Sequence, residues 1–462
     1  MLLCCAALAG LALTGRAEQT VTSTETVIRL TVQPAAAPKP ALRYLLLPEL
    51  KELNPGNPIQ NYLKCFMEQQ KFFFDKEAVA RRDKMLALPL KQLPVQELQD
   101  YGGYALRQAD WAARLDKPDW QILLPLKAEG ISLLLPDVQQ LRSLAAALKV
   151  RFRAEVALGR FDDALRTAKT LFAMSRHLAE HPTLIGDLVG LAVASAFTIG
   201  PLEEMLEQPG CPNLYWALTN LPEHLVPLDR GAEGERASIQ GEFRDLDDSA
   251  PMTAEQVKKF IAHMDPLLRP GEGQSAKRFE GVRAWLDARI KDEGLVSAAR
   301  RRLVEFGLPE ERVLRFAADQ VLLLDEKLAF EVRRDEGMKL LNLPAWHSEA
   351  LTDQAKVTRA LESALFPFEP ALYKVRRAQG RLDQRIALLR HVEALRLYAA
   401  AHDGQLPATL ADVPVPLPDD PFTGKPFRYQ VNGATAHLRG SPPPGLEKEP
   451  AYNVHYEVTI QK

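Results

Sequence analysis

The chain has 462 residues, 46% hydrophobic and 26% charged, a balance that excludes disorder on a large scale. Its 58 Lys and Arg against 60 Asp and Glu leave a formal charge of −2, so no global field draws it to nucleic acid or to an anionic membrane. Length as a prior allows about two to four domains.

The chain opens on Leu2 to Leu13, an apolar run of signal-peptide length that is too short to span a bilayer as a helix. Gly15-Arg16-Ala17 then supplies small residues at the positions a signal peptidase inspects, so cleavage is expected before Glu18. No Lys or Arg precedes the run, and Cys4 and Cys5 sit in a poor context for lipidation. The expectation is an exported chain, periplasmic or extracellular, with no membrane span after cleavage. Cleavage would leave Cys65 and Cys211. An oxidising compartment permits a bridge between them, and two separately buried thiols are the other reading.

Residues 20–33 are rich in β-branched side chains and read as one strand or an extended arm; Pro34 to Pro40 then reads as a linker. Between 137 and 207 the period becomes helical. Leu141, Leu144, Ala145, Leu148, Phe152 and Val156 share one face. Gly159-Arg160 breaks the run. A second helix places Ala164, Leu165, Ala168, Leu171, Phe172, Ser175 and Leu178 inward, which predicts an antiparallel hairpin. Gly159, Phe161 and Ala164 match the G-x-[YF]-x-x-A core of a tetratricopeptide unit, which this pair resembles over about one repeat.

A third helix, Thr183 to about Leu206, is apolar nearly all round and reads as a central buried helix. Gly186, Gly190 and Ala194, spaced by four, predict close approach of another backbone. Residues 227–280 are the loosest part of the body, with the acidic run Asp245 to Asp248 read as solvated surface and a Pro270-Gly271 turn. Within them Thr253 and Gln256 form a capping box that opens a helix to about Met264. Pro309 opens a helical stretch to about 341. The Arg300-Arg301-Arg302 cluster reads as a solvated helix face.

His177-Leu178-Ala179-Glu180-His181 spells H-x-x-E-H. Histidines at i and i+4 on one helix face can hold a zinc ion, with the glutamate as general base on a bound water. These five residues resemble the motif of inverzincin metallopeptidases, which implies His177 and His181 as ligands and Glu180 as base. Against it, Pro182 follows directly, a third ligand is not singled out between Glu203 and Glu204, and His near a helix C-terminus suits the dipole. The other histidines are scattered along the chain, and no phosphate-binding loop, nucleophile elbow or C-x-x-C is present.

At the C-terminal end a helix from Arg381 to about Ala401 leads to Asp403-Gly404, Leu406-Pro407 and the run Asp420-Pro421-Phe422-Thr423-Gly424-Lys425-Pro426-Phe427-Arg428-Tyr429. Two prolines and a glycine set a tight turn, and the aromatics pin it to the helix. With Leu395 and Tyr398 on the helix, this run resembles the head of type II secretion major pseudopilins. The helix carries Arg381, Arg385, Arg390 and Arg396 and so cannot enter a bilayer as a pilin helix does. Asn432-Gly433 between two β-type runs predicts a hairpin, and Tyr452 to Ile460 a third strand. Residues from about 40 to 230, with stretches such as 128–142 and 208–222, resemble an uncharacterised family of exported bacterial proteins often joined to such C-terminal modules, which implies no known activity.

These readings make the chain mainly α. A signal peptide at 1–17, an arm and linker at 18–40 and a body of helical hairpins at 41–380 precede an α+β module of about three antiparallel strands at 381–462. The function expected first is non-enzymatic binding or scaffolding in the periplasm or cell envelope, with a protein partner, no nucleic acid and no cofactor or metal. The body would offer the surface and the C-terminal module would dock or cap it. The alternatives are a zinc-dependent hydrolase using His177, Glu180 and His181, and an accessory part of a type II secretion or pilus-like system.

Overall fold

Apolar residues three and four apart generate most of the architecture, and two short β-branched runs at opposite ends of the chain generate the rest. The computed structural model describes residues 18–268, 281–356, 365 and 372–461. The leader and the Pro270-Gly271 turn lie outside the described residues.

Strands β1 (Glu18–Val21) and β2 (Thr26–Val32) form an antiparallel hairpin. Helices α1 (Pro58–Glu68), α2 (Lys76–Ala87) and α3 (Gly103–Ala112) follow. Asn57 and Asp75 cap α1 and α2 by accepting from backbone N–H groups of the first turn. The central unit is α4 (Pro136–Ala157) and α5 (Phe161–Ala179), which pack along each other with every predicted inner-face residue buried. Gly159 takes the left-handed φ of +70° that ends α4.

Helix α6 runs from Leu184 to Leu206 and opens on a side-chain cap from Thr183 to the Gly186 N–H. By length and composition it could cross a membrane, but 72% of its most apolar window is buried inside the protein. A Cβ on Gly190 would meet the Ser175 carbonyl at 3.0 Å, so α5 and α6 come together at backbone distance there. The helix widens to π geometry over Val193–Ile199. The Lys149 ammonium of α4 donates to the Ala196 carbonyl at 2.8 Å within that stretch.

Helices α7 (Asp229–Glu242), α8 (Ala254–Leu268), α9 (Val282–Arg289), α10 (Glu293–Glu305) and α11 (Ala318–Met338) build the second half of the body. The Thr253–Gln256 box closes in both directions, at 2.7 and 3.3 Å. The stretch expected to be helical from 309 to 341 is interrupted between Val313 and Ala318. Arg300 reaches across to the carbonyls of Val313 and Phe316, at 2.6 and 2.8 Å, and so satisfies the groups the break frees. Arg302 pairs with Asp325, so two of the three clustered arginines are tied to neighbouring elements.

Helix α12 (Leu372–Ala401) begins nine residues before the expected Arg381. Arg376 and Arg377 disguise its first turns as polar, although both turn inward. Arg376 donates to the Leu343 carbonyl, and Arg377 makes a two-point pair with Glu349 at 2.7 Å. Strands β3 (Arg428–Asn432) and β4 (Thr435–Arg439) join through Gly433 at φ +62°, and β5 (Val454–Ile460) pairs antiparallel with β4. The run before β3 folds as the predicted tight turn, with the Asp420 N–H donating to the Lys425 carbonyl at 2.8 Å. Phe422 fills the space over Gly380 of α12.

Among the described residues the sheet has five strands, in the order β1-β2-β5-β4-β3. The three antiparallel strands are those expected. The segment read as an arm adds two more, because β2 pairs in parallel with β5 from Thr26↔Val454 to Val32↔Ile460. The large apolar clusters follow this closure. One runs from Leu30 of β2 through α1 and α3–α6 to Leu388 of α12 and Tyr456 of β5. The other gathers α7 to α11 around Phe260, Leu303 and Phe330.

Candidate functional site

The H-x-x-E-H run straddles the end of α5 at Ala179, and its two histidines have different partners. His177 Nδ1 lies 3.1 Å from the Tyr62 hydroxyl. His181 is fully buried, with Nδ1 2.8 Å from Thr183 Oγ1 and its ring edge-on to Trp120. Burial pushes both imidazoles down to about 4, which keeps them neutral at pH 7. Glu180 is exposed and faces Arg230 at 3.8 Å. Among the described residues no third ligand gathers with the two histidines. Glu203 and Glu204, the acids considered for that role, are both engaged elsewhere.

Their partners form a charged seam through the first apolar core. Arg153 of α4 holds Glu204 at 2.7 and 2.9 Å and donates its remaining N–H groups to the Met85 and Leu88 carbonyls, at 2.9 and 2.7 Å, where α2 ends. Arg385 of α12 holds Glu203, which also accepts from the Tyr456 hydroxyl of β5. Arg396 donates to the Gln33 and Cys211 carbonyls, at 2.9 and 2.7 Å, and pairs with Glu393. Each arginine thus binds elements far apart in sequence, and each buried acid has a cation beside it. Lys149 stands next to this seam, and burial pushes its amine down to about 8.

A second polar group lies where α7 crosses the start of α6. Both oxygens of Asp187 and Oε1 of Glu235 are buried and lack a hydrogen-bond partner among the described residues. Burial, reinforced by the charges of Asp229, Glu180 and Glu235, pushes the Asp187 carboxyl well up, and burial pushes Glu235 up to about 7. Cys65 and Cys211 are separately buried free thiols, each pushed up to about 12 chiefly by burial.

Most other histidines have local partners. His224 lies 2.9 Å from Asp383 and His263 2.8 Å from Glu242, while His391 and His402 bond to carbonyls four residues earlier. Sequence spacing gives no sign that His437 and His455 meet across two strands, which they do. The acidic run behaves as surface: Asp247 accepts from Ser249 and Asp245 faces Lys259, while Leu246 turns into the second core.

The surface is uneven in apolar character. Half of the large apolar side chains exposed among the described residues come from residues 50–134, under a fifth of the chain. They include Leu50, Leu124 and Leu134, at 87%, 80% and 82% exposure, with Met67, Phe74 and Trp111. A groove of about 680 Å³ in the same stretch is lined by Ala80, Lys84, Met85, Leu88, Gln92 and Pro94. Of these residues only Leu134 falls in a stretch that the sequence marks out, 128–142. The available signal was a leucine run, Leu133 to Leu135, that breaks the helical period just before α4. No family model, curated protein or solved structure matches the chain.

Proposed function

We propose that this chain is an exported, non-enzymatic scaffold of the cell envelope that binds a partner protein through the apolar surface of residues 50–134. The observation that carries the reading is the concentration of exposed leucines and aromatics in that stretch. Leaving such side chains in water forgoes about 25 cal/mol for each Å² that a partner could cover. The first half of the body holds these elements in place, because α2 is anchored through Arg153 and α1 packs on α3 and α4. Export rests on the apolar run Leu2 to Leu13.

The test compares the wild-type chain with a Leu124→Glu/Leu134→Glu variant in affinity capture from the producing organism's envelope fraction. Both positions are exposed, so the melting temperature should not change. A defined partner retained by the wild type and lost by the variant is the expected result. Equal retention by both, or no protein above the resin control, would sink the proposal.

A further inference from the structure

The face of the sheet turned away from α12 carries a group of ligand-bearing side chains that sequence order disperses. Along β5, Tyr456 reaches Glu203 and Arg385 in the core, so His455 and Glu457 point to the opposite face. His437 of β4 stands directly across from Glu457 in the antiparallel register, with His455 on the diagonal. Nδ1 of His437 lies 3.1 Å from Nε2 of His455. With a Glu457 carboxylate oxygen, the three ligand atoms lie within 4.8 Å of one another.

The pair of imidazoles is incompletely satisfied. His455 is only 2% exposed, and its Nδ1 lacks a hydrogen-bond partner among the described residues. That atom lies on the other side of the ring from His437, so the case for a ligand rests on the three clustered ligand atoms. The spacing suits a metal. Two nitrogens on one tetrahedral zinc, at about 2.0–2.1 Å each, stand roughly 3.3 Å apart, close to the His–His separation here. Arg29 of β2 pairs with Glu457 Oε2 at 2.8 Å, which fixes the carboxylate and leaves Oε1 for a cation.

We propose that His437, His455 and Glu457 bind a zinc ion on the outer face of the sheet. Two imidazoles and one carboxylate suit zinc and disfavour calcium or magnesium, which take oxygen ligands. His437 and Glu457 are half-buried, so the ion reaches the site from solvent and keeps a position open for water or a fourth ligand. His455 would ligate through Nε2, the nitrogen beside His437 Nδ1. Arg29 and Arg439 place two positive charges nearby and weaken the site relative to a closed structural one. The ion would clip β4 to β5, next to the strand that β2 joins. This site is separate from the H-x-x-E-H run and independent of the partner surface proposed above.

The experiment is calorimetric titration of the whole metal-stripped protein with zinc chloride, together with melting temperatures with and without zinc. The wild type should take one zinc per chain and melt higher in its presence. His437→Ala and the isosteric Glu457→Gln should each bind at least about tenfold more weakly and lose the zinc-dependent rise. His177→Ala should bind as the wild type does. No uptake at about 0.1 mM zinc, or unchanged uptake in Glu457→Gln, overturns the site. If His437→Ala does not fold, Glu457→Gln decides alone, because it removes the ligand charge and keeps the shape.

Discussion

Arg385 reaches Glu203 through two N–H groups, and this pair joins the C-terminal helix α12 to the end of the central apolar helix α6. The side chains are 6% and 1% exposed, and the Tyr456 hydroxyl donates to the same carboxylate. Three distant parts of the chain therefore meet on one acid: residue 203 in the body, residue 385 in the helix and residue 456 in the last strand.

Removing one partner should be far worse than removing both. Arg385→Leu leaves Glu203 as a buried anion without its cation, at a cost of about 3–5 kcal/mol. The Arg385→Leu/Glu203→Leu double variant leaves no orphaned charge and should recover much of that loss. Urea unfolding midpoints of the wild type, both single variants and the double variant form a cycle that measures the coupling. Additive losses across the cycle would show that the pair is not coupled.

Stability should fall as pH rises through neutrality. The Glu235 carboxyl is raised from 4.5 to about 7 in the folded chain, so the native state holds this proton more tightly than the unfolded state does. Its contribution is complete below about pH 4.5 and is lost as pH rises through about 7, by at most on the order of 3 kcal/mol. Asp187, raised for the same reason, acts in the same direction. Glu235→Gln keeps the shape and cannot ionise, so it should flatten the decline. Urea midpoints at about pH 5 and about pH 8 make the comparison; equal declines in variant and wild type would exclude Glu235 as the source.

Two glycines of α7 should respond in opposite directions to the same substitution. A Cβ on Gly234 would stand 1.9 Å from the Pro182 carbonyl oxygen, so backbone must move to admit it. Gly234→Ala should cost roughly 1–3 kcal/mol or more. At Gly241 the nearest atom is the Lys127 carbonyl at 3.6 Å, an ordinary contact. Gly241→Ala should be neutral or stabilise by up to about 1 kcal/mol, because alanine loses less backbone entropy in a helix. Thermal melts of both variants decide this, and a stabilised Gly234→Ala would mean that α7 does not sit on the turn after α5.

Elements governed by neighbours in sequence were legible before the structure. The α4–α5 hairpin, the buried α6, the Thr253–Gln256 cap, the turn at Asp420 and the Asn432-Gly433 hairpin all follow from local periodicity and turn chemistry. Where a long-range partner rewrites the local signal, consecutive residues do not carry the information. The first turns of α12 looked polar because Arg376 and Arg377 face a neighbour inside the fold, and the arm at 20–33 gave no hint of its partner strand. The H-x-x-E-H spelling was plain, but Tyr62 and Thr183, brought in from outside the motif, each engage one of its histidines.

Sequence by itself thus determined a mainly helical chain with a small β-rich end, because helix and strand periods are properties of consecutive residues. Only the tertiary structure decided that β2 closes the sheet onto β5, that the buried acids of α6 meet Arg153 and Arg385, and that His437, His455 and Glu457 share one face. Those relationships join residues tens to hundreds of positions apart. They are set by which buried charge finds which partner and which strand edge finds a mate, and no periodicity along the chain encodes that choice.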